Sequence, residues 1–135
     1  MASLRASARS LGLVSVRKGR LAPTRAAKGL ADDPERLLRH IIGRLPLGKT
    51  DADRHAGWVS LAVTGSEASG RSLREQISEG MYGLGWRDGR DGIGLPPAQN
   101  PTLEVLRLPG GELQRARRRS GETSVAAVAR AVMRP

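Results

Sequence analysis

Any core this chain builds has to be aliphatic. Its 135 residues include two Trp, one Tyr, no Phe and no Cys. Leu and Val are left as the main bulky apolar side chains, and neither disulfides nor thiolate metal sites are open to it. That supply suits one small core and leaves little margin for ordering every residue. The length allows a single domain. No apolar run approaches the roughly 20 residues that a membrane-spanning helix needs.

The apolar residues that exist fall mainly at helical spacing. In "DDPERLLRHIIGRL", Asp32 or Asp33 can cap a helix and Pro34 suits its first turn. Leu37, Leu38, Ile41, Ile42 and Leu45 then make one apolar face, which predicts an amphipathic helix over residues 33–45. In "TDADRHAGWVSLAVTG", Thr50 or Asp51 can cap a helix that turns Val59 and Val63 inward, while Val59, Leu61 and Val63 also alternate as a strand would. The first half of that stretch holds no β-former, which favours the helix. Ser72 and Glu75 form the S-x-x-E capping box of a third helix, with Leu73, Ile77 and Met81 as its buried stripe. Asp88-Gly89, flanked by Leu84, Trp86, Ile93 and Leu95, predicts a short Gly-rich β-hairpin. Asn100 and Pro101 open another short helix. Beyond it, two short helices are expected around Ser120-Gly121, the second carrying Val125, Val128 and Val132. Its "SVAAVARAV" resembles the first helix of many bacterial helix-turn-helix domains over nine residues.

These elements predict a mostly α fold: a small helical domain over residues 32–108, with a winged-helix-like order of three helices and a hairpin. Residues 1–31 read as a basic, disordered arm and residues 109–135 as an Arg-rich helical tail. The arm also has the Arg-, Ser- and Ala-rich, acid-free composition of an organellar transit peptide, so the expected cytoplasmic location has organelle targeting as its alternative.

Charge is segregated along the chain. Residues 1–31 carry seven Lys or Arg and no acid, residues 32–111 carry ten bases against eleven acids, and residues 112–135 carry six Arg against two Glu. Cationic ends on a near-neutral centre attract polyanions through counterion release, or anionic membrane surfaces. Part of the Arg excess is what GC-rich codons supply without selection. Arg115, Arg117, Arg118 and Arg119 set four guanidiniums within five residues and are the expected nucleic-acid contacts, since Arg suits bidentate phosphate binding. Arg71, Arg74, Arg87 and Arg90 would lie at the start of the third helix and on the hairpin, interspersed with Glu75, Glu79, Asp88 and Asp91.

Other motifs compete with this reading. "GRLPLGKT" fits G-x-x-x-x-G-K-[ST], which would make Gly43, Gly48, Lys49 and Thr50 a phosphate loop. Such a loop follows a buried strand, whereas the preceding segment is patterned as a helix, and Pro46 has no N–H to offer a phosphate. The expected role of Thr50 is instead to cap the next helix. Asp51, Asp53 and His55 alternate as metal ligands on a strand would, with only His40 as a second imidazole. Ser15 and Lys18 match S-x-x-K inside the basic arm, and no G-x-S-x-G elbow occurs. Neither an enzyme, a cofactor nor a metal is expected. The predicted function is binding of nucleic acid or another polyanion, the alternatives being a protein-interaction module, a nucleotide binder, or a poorly ordered chain.

Overall fold

Helix α4, Asp51–Ser66, is the element around which the others pack. The computed structural model describes residues 2–66, 70–88, 96–107 and 125–134. In chain order these form α1 (Ala2–Ser10), β1 (Val14–Arg17), β2 (Arg20–Pro23), α2 (Arg25–Lys28), α3 (Pro34–Ile42), α4, α5 (Leu73–Gly83), α6 (Pro101–Arg107) and α7 (Val125–Val132). The described chain is thus mostly helical, with a small two-stranded antiparallel sheet. Among the described residues no helix is long and apolar enough to cross a membrane.

Local chemistry sets the helix ends. Asp33 caps α3 by accepting the Arg36 N–H at 3.0 Å. The helix stops at Ile42, earlier than the expected Leu45, because Gly43 caps it and Leu45 is buried from the loop that follows. Thr50 and Asp53 cap α4 reciprocally: Thr50 Oγ1 accepts the Asp53 N–H at 3.1 Å, and Asp53 Oδ2 accepts the Thr50 N–H at 3.3 Å. The Ser72–Glu75 capping box on α5 is complete. The Ser72 backbone N–H, and its hydroxyl in turn, hold the Glu75 carboxyl below the usual carboxylate range. Asn100 caps α6 through the Leu103 N–H, at 3.0 Å.

Helix α4 separates two aliphatic clusters. On one side Leu61 joins Leu11, Leu45, Leu47, Val105, Leu106 and Ala129. On the other Ala56 joins Ile77, Met81, Ala98 and Leu103. The ambiguous segment 51–66 is helical, and the residues it buries are mostly small: Ala56, Gly57, Ser60, Leu61 and Gly65. Small side chains let neighbours approach closely. A β-carbon on Gly57 would lie 2.6 Å from Thr102 Oγ1 and 2.7 Å from Pro46 Cβ. A buried polar seam fixes this contact. Asn100 Nδ2 donates to Ser60 Oγ and to the Ala98 carbonyl, each at 2.9 Å, and Thr102 Oγ1 accepts the Leu47 N–H at 2.8 Å.

Two expectations are corrected. The acid-free N-terminal stretch, expected as a disordered arm, forms α1, a hairpin and α2, and it contributes Leu11, 3% exposed, to the core. What orders it is burial of Leu11, with Leu13 half-buried, and a tie to α3, where His40 Nε2–H donates to the Leu11 carbonyl at 2.9 Å. The core likewise reaches beyond residues 32–108 at the other end, where Ala129 of α7 is fully buried and α7 packs on α4. Most of the hairpin expected over residues 84–95 lies outside the described residues, so no wing is shown. The hairpin that the structure does contain lies at the other end of the chain.

Candidate nucleic-acid interface

The β1–β2 hairpin turns on Lys18-Gly19, whose φ angles of 49° and 75° meet the condition of a type I′ turn. Lys18 tolerates this conformation at some cost; Gly19 adopts it freely. The register pairs Ser15 with Ala22 and Arg17 with Arg20. Directly opposed residues share a face, so both arginines emerge on the Ser15 side and Val16 and Leu21 emerge on the other. Val16 and Leu21 are 49% and 43% exposed.

Helix α2 closes the Ser15 side. Thr24 anchors it by donating its hydroxyl to the Gly12 carbonyl at 2.8 Å and accepting the Ala27 N–H at 3.2 Å. The result is an open concavity of about 530 Å³, lined by Ser15, Arg17, Ala22, Pro23, Thr24, Arg25 and Lys28. Three cations and two hydroxyl-bearing residues line it, and among the described residues no carboxylate does. Lys18 and Arg20 extend the positive surface to the hairpin tip, and Arg44 packs against Gly12 at its base. On α1, Arg5 and Arg9 are exposed one turn apart, and Arg9 shares a second hollow with Lys49.

Electrostatically this surface differs from the middle of the chain. Arg39 pairs with Glu35, Arg54 with Asp51 and Arg71 with Glu79. Among the described residues, none of Arg5, Arg9, Arg17, Lys18, Arg20, Arg25 and Lys28 has an ion-pair partner. A like-charged surface without internal carboxylates repels itself and draws counterions, the condition under which a polyanion binds by displacing them.

The sequence-predicted sites are distributed as follows. Arg115, Arg117, Arg118 and Arg119 lie outside the described residues, as does Arg90. Gly43 caps α3, and a helix, not a strand, ends at Ile42. The Lys49 and Thr50 amides both donate to Asp53 Oδ2 at 3.3 Å, so these backbone donors of "GRLPLGKT" already serve α4. The Leu45–Pro46 peptide in that loop is cis. Asp51, Asp53 and His55 separate on the helix: Asp51 meets Arg54, Asp53 caps, and His55 meets Trp86. Among the described residues no cluster of three or more His, Asp or Glu is placed to hold a metal ion.

Sequence reasoning counted the N-terminal charges and missed the surface they form. The available signal was the alternation of Val14, Val16 and Leu21 about Lys18-Gly19, followed by Thr24 at cap position. No family model matches the chain, and no curated protein or solved structure is significantly similar to it.

Proposed function

We propose that this protein is a non-enzymatic nucleic-acid-binding protein that acts through phosphate contacts. Its main contact surface is the hairpin–α2 concavity with Arg17, Arg25 and Lys28, extended by Lys18, Arg20, Arg5 and Arg9. The observation that carries the reading is that seven N-terminal cations, three of them lining one concavity, have no ion-pair partner among the described residues, whereas Arg39, Arg54 and Arg71 in the centre are each paired with a carboxylate. The cluster of Arg115, Arg117, Arg118 and Arg119 supplies a second set of contacts, and the setting is the cytoplasm. In the finer version of the fold, α3, α4 and α5 with residues 84–95 form a winged helix. There Arg74 is the cation whose N–H groups are left for a phosphate, because Arg71 is held by Glu79 and the Arg87 Nη1 donates to the Tyr82 and Trp86 carbonyls.

Replacing Arg17, Arg25 and Lys28 together by Ala is expected to weaken duplex DNA binding by about tenfold or more at moderate salt. The matched triple replacement of Arg39, Arg54 and Arg71, each already ion-paired, is expected to change it little. Equal losses in the two variants would remove the N-terminal surface from the account. Binding to phosphatidylserine vesicles in place of DNA would assign that surface, with its exposed Val16 and Leu21, to a membrane instead.

A further inference from the structure

None of the chain's three aromatic side chains is buried in the core; all lie on α4 and on α5 with the turn that follows it. Trp58 on α4 is 46% exposed and Tyr82 on α5 is 39% exposed, while Trp86 is half-buried against the second aliphatic cluster. A chain this poor in large apolar groups leaves two of its largest at the surface, where burial would have stabilised it most.

Two of the rings, Trp86 and Tyr82, are held in place. Trp86 Nε1–H donates to His55 Nδ1 at 3.1 Å, and the two rings meet edge to face with centroids 5.8 Å apart. Trp58 follows His55 by one helical turn, so both side chains leave the same side of α4. Arg87 donates to the Tyr82 and Trp86 carbonyls at 2.7 and 2.8 Å, which lays its guanidinium 3.6 Å from the centroid of the Tyr82 ring. Tyr82 therefore already carries one flat, cationic group at stacking distance, and the outer face of that group is itself a surface on which a base stacks.

We infer that Trp58, Tyr82 and Arg87 form a stacking platform for unpaired nucleobases, so that the preferred ligand is single-stranded nucleic acid. The inference rests on the nucleic-acid reading above and adds the part of the ligand that phosphate contacts cannot distinguish. Every base has a π face, so such a platform binds strands with little regard to sequence. The surroundings favour a nucleotide over an apolar protein surface. His55 and Arg87 lie against the rings, and a nucleotide complements those polar groups where an apolar partner would have to desolvate them.

The test compares the full chain's affinity for a short oligo(dT), for an abasic oligomer of the same length and charge, and for a duplex. Oligo(dT) is expected to bind more tightly than the abasic strand by about fivefold or more and to quench tryptophan fluorescence. Trp58→Leu keeps apolar bulk without a π face, and Tyr82→Ala removes the ring. Each is expected to lower oligo(dT) affinity by about fivefold or more while leaving the abasic strand and duplex unaffected. Trp58→Phe should restore tight binding, which a purely structural role would not predict. Equal affinity for oligo(dT) and the abasic strand, unmoved by Trp58→Leu, would overturn the platform and leave the rings to a protein partner. If no strand binds at all, the phosphate reading falls with it.

Discussion

At the scale of single residues, the tightest packing statement concerns Gly57. An Ala methyl there would collide with Thr102 Oγ1 and Pro46 Cβ, and Thr102 is already committed to the Leu47 amide. Gly→Ala inside a helix is ordinarily stabilising by about 1 kcal/mol. At Gly57, overpacking costs about 1–3 kcal/mol, and displacing the Thr102 hydrogen bond costs roughly another 1 kcal/mol or more. Gly57→Ala is thus expected to destabilise the protein by about 2 kcal/mol, read as a lower thermal midpoint. Gly83→Ala is the contrasting case. It has ordinary helical φ and nothing within 4 Å of a β-carbon, so it should stabilise by about 0.5–1 kcal/mol. A Gly57→Ala variant stabilised like Gly83→Ala would contradict the close approach of α4, α6 and the Pro46 loop.

At the scale of elements, α5 carries a pH-dependent end. The Glu75 carboxyl is held below its ordinary range mainly by the Ser72 backbone N–H, and secondarily by the Ser72 hydroxyl. A carboxyl whose pKa is lowered by folding contributes stability above its unfolded value, and loses it as pH falls through the lowered folded value. The difference in thermal midpoint between the protein and its Glu75→Ala variant should therefore be full near neutrality. It should close below the carboxylate range; a constant gap would show that the box is not what Glu75 contributes. Elements of this kind were legible in the sequence, because Asp33, Ser72–Glu75 and Asn100 each announce a helix start by their own hydrogen-bonding chemistry. Helix α4 was harder to read. Its buried face is written mostly in Ala, Gly and Ser, while the visible Val59, Leu61 and Val63 mimic a strand. The β1–β2 hairpin was missed because Lys-Gly is a weaker turn signal than Asn-Gly, and the surrounding charge read as an unstructured arm.

At the scale of the whole molecule, an aliphatic core is shared by both ends of the chain, from Leu11 to Ala129, and the cations divide into two populations. In the centre Arg39, Arg54 and Arg71 are paired internally; among the described residues, the cations on α1, the hairpin and α2 have no ion-pair partner. Composition showed that the ends are cationic, but it could not show that the N-terminal end is folded into a concave surface. That follows from long-range contacts, Thr24 to Gly12 and His40 to Leu11, which no local pattern encodes. The aromatic cluster was invisible for the same reason, since His55 and Trp86 are 31 residues apart. The central claim is that unpaired N-terminal cations bind phosphates, and the salt dependence of duplex affinity tests it most directly. The logarithm of the binding constant should fall linearly against the logarithm of salt, by about 0.9 for each phosphate these cations engage. Replacing Arg17, Arg25 and Lys28 by Ala should flatten that slope by about 3. A slope near zero, or one the triple replacement leaves unchanged, would contradict the account.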